Sequence, residues 1–189
     1  GALPLLPEAV RTRSALTCGA DLVFALPAPC ACAGAEAFAR AGVALLAAAG
    51  CDGLVFGAET PDAALLMEAA ELLDSGSYRA ALKAQLAGGA RSFAAARQTA
   101  AAKLASDERV AALLDKPNNN LAVEYCRAIR SLAPRMEAYP LPRQGANHGE
   151  ALHSAHGQFA SASALRKLWA EGGADAVAPY VPDRKSTRL

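Results

Sequence analysis

The chain has 189 residues, 53% of them hydrophobic, with 19 Lys and Arg against 18 Asp and Glu. That length supports one domain of ordinary size, although many of the apolar residues are alanines that bury little area each. The balanced charge excludes a global basic field advertising nucleic acid, and no apolar run reaches the ~18–20 residues of a membrane span. Five cysteines (18, 30, 32, 51 and 126) are an odd, scattered set. Cys30-x-Cys32 lacks a second pair of finger-like spacing, so no structural zinc is expected. Cys51 and Cys126 lie in apolar sequence and should pack as small hydrophobes. A reducing cytoplasm is the default compartment. The first residues have neither an initiator Met nor a charged region before their apolar patch, so a signal peptide is not expected and the start reads as a cut edge.

Residues 1–10 are Pro-rich, and Arg11 to Thr17 reads as a helix stopped at Cys18-Gly19. Asp21 to Pro27 and Gly53 to Glu59 are short apolar runs that read as buried strands, with a helix from Gly34 to Gly50 between them. Together they predict a right-handed βαβ unit with parallel strands, and ligands sit beyond the carboxyl ends of such strands. Those ends are Leu26-Pro27 and Gly57-Ala58-Glu59. Thr60-Pro61-Asp62 predicts a helix start with Thr60 as cap, and Leu65, Leu66, Ala69, Leu72 and Leu73 form its buried stripe. Helices follow over 78–86, 92–104 and 108–114, a helical insertion at about 76–115. Asn118, Asn119 and Asn120 predict a capped helix start. Met136 to Tyr139 predicts a weak strand closed by Pro140, 142–158 a loop, and Ser161 the start of a last helix. Asp183 to Leu189 is polar and fits no buried element, and 176–189 reads as a tail, disordered or foreign, after a single domain of 1–175.

Three places can carry chemistry. Gly57-Ala58-Glu59 allows close approach of a ligand to the backbone, or is an ordinary strand-to-helix turn. Asn118 and Asn119 at a helix start offer amides to an anion and side chains to a base or ribose, or are plain caps. Ser161, Ser163 and Arg166, preceded by Arg143 and His148, suit a phosphate, or are a capped helix with a surface Arg. His148, His153 and His156 read as solvated loop residues rather than a metal site. Glu68, Glu71 and Asp74 read as a solvated face. Arg91, Arg97, Lys103, Arg127, Arg130 and Arg135 are open to RNA phosphates or to solvent. No Walker loop, Gly-x-Ser-x-Gly or Gly-x-Gly-x-x-Gly is present.

Taken in order, several stretches resemble the bacterial tRNA(Met) cytidine acetate ligase family of the nucleotidyltransferase-like α/β superfamily. They are Gly19-Ala-Asp-Leu-Val-Phe-Ala-Leu-Pro27, Phe38-Ala-Arg-Ala-Gly42, Phe56-Gly57-Ala-Glu59 and Lys116-Pro-Asn-Asn119 with Leu121-Ala-Val-Glu-Tyr125. Arg143-x-Gly145-Ala-Asn-His148 and Ala160-Ser-Ala-Ser-Ala-Leu-Arg166 complete the set. The resemblance implies a Rossmann-like parallel sheet with flanking helices and an enzyme that joins acetate to ATP as acetyl-adenylate. The acetyl group then passes to N4 of the wobble cytidine of elongator tRNA(Met), with Mg²⁺ assisting and neither DNA nor a membrane involved. By position, Gly57, Asn118, Asn119, Arg143, Ser161, Ser163 and Arg166 would bind ATP. The family's His-x-x-His-type loop and first strand lie upstream of Gly1, so no catalytic residue is assigned here. Glu8 stands where Lys is common and Gly149 where an acid often follows the His. These departures imply an internal fragment with its first strand missing, inert alone. The competing readings are a nucleotidyltransferase adenylylating a small molecule and a non-catalytic RNA-binding remnant.

Overall fold

Alanine- and leucine-rich segments make helix the dominant state of this chain. The computed structural model describes residues 5–143 and 160–180 and divides into two units, residues 26–143 and residues 1–25 with 144–189. The second unit contributes α1 (Glu8–Thr17). The first holds α2 (Ala28–Ala31), α3 (Ala35–Ala48), β1 (Gly53–Ala58), α4 (Ala63–Asp74) and α5 (Gly76–Ala87). It continues through α6 (Phe93–Leu104), α7 (Glu108–Leu113), α8 (Pro117–Leu132) and β2 (Glu137–Pro142). In the second unit α9 (Ala162–Val177) runs into a 3-10 turn, Ala178–Tyr180, and is kinked at Gly173, whose φ of 67° suits glycine. The loop histidines 148, 153 and 156 and tail residues 181–189 lie outside the described residues.

The fold class is α/β, with a parallel pair of strands in register from Gly53 opposite Glu137 to Ala58 opposite Pro142. The pairing differs from the sequence reading. β1 pairs with β2, and residues 21–27 form no strand: Leu22, Val23 and Phe24 are exposed, and the chain turns into α2 after Pro27. An apolar run becomes a strand only where an edge is offered to it, and that edge of β1 goes to β2. Pro140 does not close β2. Glu137 N donates to Asp52 O and Arg143 N to Ala58 O, so the odd-numbered residues of β2 face β1. Pro140 and Pro142 then place their missing N–H groups on the outer edge, where a strand tolerates proline.

α8 is the centre of the larger unit. Its buried stripe includes Ala122, Val123, Cys126 and Ile129, and it packs on α3, α4 and both strands. Leu54, Phe56 and Ala58 alternate inward along β1, with the Phe56 and Tyr125 rings 5.4 Å apart. A Cβ at Gly53 would meet the Tyr139 ring at 2.8 Å, so any other residue there would have to displace that exposed ring. Residues 76–115 fold as α5, α6 and α7, which pack on one another and on α4. At the start of α4 the cap is Asp62, not Thr60: its carboxylate accepts from Leu65 N at 3.0 Å. Thr60 is engaged elsewhere, as described below.

The two cysteines expected inside separate. Cys126 is fully buried, whereas Cys51 lies just past the α3 C-terminus and is exposed. Burial pushes the Cys126 thiol up to about 12. At pH 8 its thiolate fraction is then on the order of 10⁻⁴, so it should resist iodoacetamide in the folded chain. Mass spectrometry should find Cys126 alkylated only after denaturation, with Cys18, Cys32 and Cys51 modified in the native state.

Candidate functional site

The carboxyl ends of β1 and β2 and the N-terminus of α8 meet inside the larger unit. Pro117 occupies the first turn of α8, where its missing N–H is no loss, and Lys116 is the N-cap without a side-chain cap bond. Asn118, Asn119 and Asn120 therefore sit inside the helix rather than before it. Their capping partner comes from β1. Glu59 Oε2 accepts from Asn119 N at 2.7 Å, and Glu59 Oε1 accepts from Asn118 N at 3.2 Å and from Asn118 Nδ2 at 2.6 Å. A carboxylate thus already fills the anion position that the helix dipole and free amides create.

The electrostatics of Glu59 follow from these contacts. Desolvation is the largest single influence and raises its pKa, but the Asn118 side chain and the Asn118 and Asn119 amides together outweigh it. The carboxyl is held below its ordinary 4.5. Glu59 stays ionised and ties the strand end to the helix start.

The asparagines divide the remaining work. Asn119 is buried at 1% exposure; its Oδ1 accepts from Thr60 N at 2.9 Å and its Nδ2 donates to Thr60 Oγ1 at 3.1 Å. Asn120 Nδ2 donates to the carbonyls of Leu114 and Lys116. Asn118 is the one that faces outward: its Oδ1 accepts from Arg143 Nη1 at 2.9 Å. The Arg143 guanidinium is exposed, and among the described residues its other N–H groups have no partner, which leaves them to an anion. Gly57 lies on the exposed face of β1, and a Cβ there would sit 3.5 Å from Arg143 Cγ, an ordinary contact. The fold does not require glycine at 57, and its bare backbone leaves room beside Arg143.

Gly57, Asn118, Asn119 and Arg143 are therefore brought together, with Glu59 and Thr60 as the residues that fix them. Sequence reading quoted Glu59 only as part of a strand end. Its proximity to the Asn run, 59 residues away, has no local signal. Ser161, Ser163 and Arg166 lie in the other unit. Ser161 caps α9 by accepting from Ala164 N at 3.2 Å, Ser163 is exposed, and Arg166 Nε is buried without a partner among the described residues. Among the described residues no group of His, Cys, Asp and Glu is arranged to hold a metal ion.

Of the six basic residues left open to phosphates or to solvent, Arg97, Arg127 and Arg130 are engaged by carboxylates. Arg97 and Arg127 each pair with the buried Glu124 at 2.7 Å, Arg127 also reaches Asp74 at 2.8 Å, and Arg130 pairs with Glu71 at 2.8 Å. Glu71 and Asp74 are accordingly bound to α8 rather than simply solvated, and Glu68 accepts from Ser106 Oγ at 2.6 Å.

A family model described as HIGH Nucleotidyl Transferase matches residues 1–189. The chain belongs to the HIGH nucleotidyl transferase family. Within it, the chain is similar to the tRNA(Met) cytidine acetate ligase of Syntrophotalea carbinolica, at 40% identity over 170 residues, 89% of this chain and 40% of that protein. The protein of the same name from Caldanaerobacter subterraneus is 36% identical over 92% of this chain and 43% of its own length. Among solved structures, Thermotoga maritima TmcAL bound with alpha-thio ATP matches with a TM-score of 0.80 and 29% identity over 94% of this chain and 42% of that one. The apo form of the same protein matches with a TM-score of 0.83 and 30% identity. The chain spans less than half the length of these relatives. The α/β class and the resemblance to tRNA(Met) cytidine acetate ligases are both borne out, and this HIGH nucleotidyl transferase chain carries its assembled side chains at the carboxyl end of a parallel sheet.

Proposed function

We propose that this chain forms part of the ATP site of an enzyme that acetylates N4 of the wobble cytidine of elongator tRNA(Met). The observation that carries this is the convergence of Gly57, Asn118 and Arg143 at the strand ends. A carboxylate attacking a triphosphate needs charge neutralisation and alignment more than a covalent nucleophile, and a guanidinium held by an asparagine beside open backbone supplies both. In the proposed reaction an acetate oxygen bonds to the α-phosphorus as pyrophosphate leaves. The cytidine N4 then takes the acetyl group and AMP departs. Asn118 and Arg143 bind the nucleotide directly. Asn119, through Thr60, positions the strand end. Ser161, Ser163 and Arg166, in the other unit, are assigned to phosphate by the resemblance; Mg²⁺ accompanies the triphosphate, and the reaction takes place in the cytoplasm, where tRNA and acetate are at hand. Among the described residues no helix is long and apolar enough to cross a membrane.

Calorimetric titration of the chain with ATP tests the site. Asn118→Ala and Arg143→Ala should each weaken binding at least about tenfold, in line with the loss of a charge-assisted contact. Gly57→Ala should weaken binding while leaving Tm unchanged, because the fold has room for its Cβ. Wild-type affinity in Asn118→Ala and Arg143→Ala would overturn the assignment.

The family description also favours a second reading, transfer of a nucleotidyl group to a small molecule. The two differ in product. N4-acetylcytidine in elongator tRNA(Met), restored by the full-length gene in a strain lacking the modification, supports the ligase. A nucleotidylated metabolite without tRNA modification supports the transferase.

A further inference from the structure

A second feature lies away from the Glu59 site. A cavity of about 560 Å³ opens within the larger unit against α3, α5, α6 and α8. Its α8 residues are Glu124 and Arg127, six and nine positions beyond Asn118, roughly 9–13 Å down the helix axis. The volume is in the range of small-ligand sites.

The lining is unevenly charged. Arg40, Arg79, Arg97 and Arg127 stand against two carboxylates, Glu36 and Glu124. Arg97 and Arg127 are neutralised by Glu124, and Arg127 further by Asp74. Arg40 and Arg79 are exposed, and among the described residues neither pairs with a carboxylate. Arg40 donates to Ser131 Oγ at 3.2 Å and Arg79 to the Asp74 carbonyl at 2.6 Å. Unspent positive charge therefore remains at the rim.

The same cavity has a flat apolar side. Phe93, the first residue of α6, lines it with 59% of its surface exposed, which is unusual for a phenylalanine with no partner to cover it. Tyr78 is buried in the wall at 3% exposure, and its hydroxyl has no hydrogen-bond partner among the described residues. A free aromatic face lining the same cavity as guanidiniums that no described carboxylate neutralises is the combination that takes a stacked base and its phosphate. An ion as small as acetate would fill little of this volume and would leave Phe93 unused.

We infer that this cavity binds one nucleotide unit of a single-stranded RNA segment, the base against Phe93 and the phosphate at Arg40 and Arg79. The nucleotide chemistry rests on the cavity alone; the choice of RNA over a free nucleotide rests on the function proposed above.

Fluorescence anisotropy of the 189-residue chain with a labelled single-stranded RNA oligonucleotide, across a salt series, tests it. The double variant Arg40→Glu/Arg79→Glu should bind about tenfold or more weakly, with a shallower slope of log K against log salt. Phe93→Ala should weaken binding several-fold with the slope unchanged, which separates stacking from charge. Asn118→Ala should leave RNA binding at wild type. Loss of ATP binding in Asn118→Ala with RNA binding retained isolates this site from the nucleotide site. Equal RNA affinity in wild type, the charge-reversed double variant and Phe93→Ala overturns the inference. So does AMP binding that depends on Arg40, Arg79 and Phe93 in a chain that binds no RNA, because the occupant is then a free nucleotide. Arg40, Arg79 and Phe93 are exposed and Asn118 is half-buried, and circular dichroism melts of each variant check that it folds.

Discussion

Glu59→Ala should lower the stability of the chain by about 2–4 kcal/mol and weaken ATP binding at least tenfold. Three donors lose their acceptor at once: Asn118 N, Asn118 Nδ2 and Asn119 N. A hydrogen bond to a charged group contributes about 1.5–3 kcal/mol, and the partial exposure of Glu59 brings the sum of three below the simple total. For a domain of this size the loss corresponds to a fall in Tm of roughly 5–15 °C. The effect on ATP follows because Asn118, once released from Glu59, no longer holds Arg143 in place. Glu59→Gln separates the charge from the shape. It retains one acceptor oxygen and should fall between wild type and Ala in both measurements. The acid limb gives a third readout. The folded pKa of Glu59 lies below its ordinary 4.5, so the stabilisation is full above the unfolded value and is lost as pH falls through the folded one. The Tm difference between wild type and Glu59→Gln should therefore be constant at neutral pH and shrink below about pH 4.5. A constant difference down to pH 3 would show that the charge of Glu59 contributes nothing.

Local signals in the sequence located most helices, because 3.6-residue periodicity and small polar caps are properties of a short window. Ser92 before α6, Asp107 before α7 and Ser161 before α9 each accept from an amide of the following turn, as such residues do. Strands were less legible, since a strand is defined by its partner. Asp21 to Pro27 and Gly53 to Glu59 look alike as apolar runs, but only the second meets another edge, and that edge contains two prolines. The site shows the same division. The Asn run and Gly57 stand out by composition, and both reach the site. The bond network that joins them could not be read, because Glu59 and Asn118 are brought together only by the packing of α8 against β1. The sequence therefore named the groups that meet at the candidate site, Glu59 among them as a strand-end residue, but not the bonds by which that carboxylate arranges the others. It also left Arg97 and Arg127 looking available, when a single buried glutamate on α8 takes both.

That glutamate carries the other large expectation: Glu124→Ala should cost about 3 kcal/mol, a fall in Tm of roughly 6–12 °C, without reducing ATP binding in the fraction that remains folded. Glu124 is 4% exposed, and each of its oxygens meets a guanidinium at 2.7 Å, Arg97 at Oε1 and Arg127 at Oε2. Burial works against the charge on Arg127, but its bonds to Asp74 and Glu124 outweigh this and hold its pKa above the ordinary value. Removing Glu124 therefore leaves Arg97 without a carboxylate beside Arg127, which keeps only Asp74, in a half-buried space where neither can escape by losing its proton. The penalty belongs to the stranded charges rather than to the pair itself. Replacing all three residues together, as Arg97→Met/Glu124→Leu/Arg127→Met, should recover most of the lost Tm, because a buried ion cluster is worth little against apolar groups of similar volume. A triple variant no more stable than Glu124→Ala would show that the ion cluster is itself the support of α6 against α8. The cavity adds a sign test. Taking one negative charge from its lining should strengthen RNA binding even as stability falls, so Glu124→Gln should move the two measurements in opposite directions. A purely structural role for the cluster predicts that both fall together.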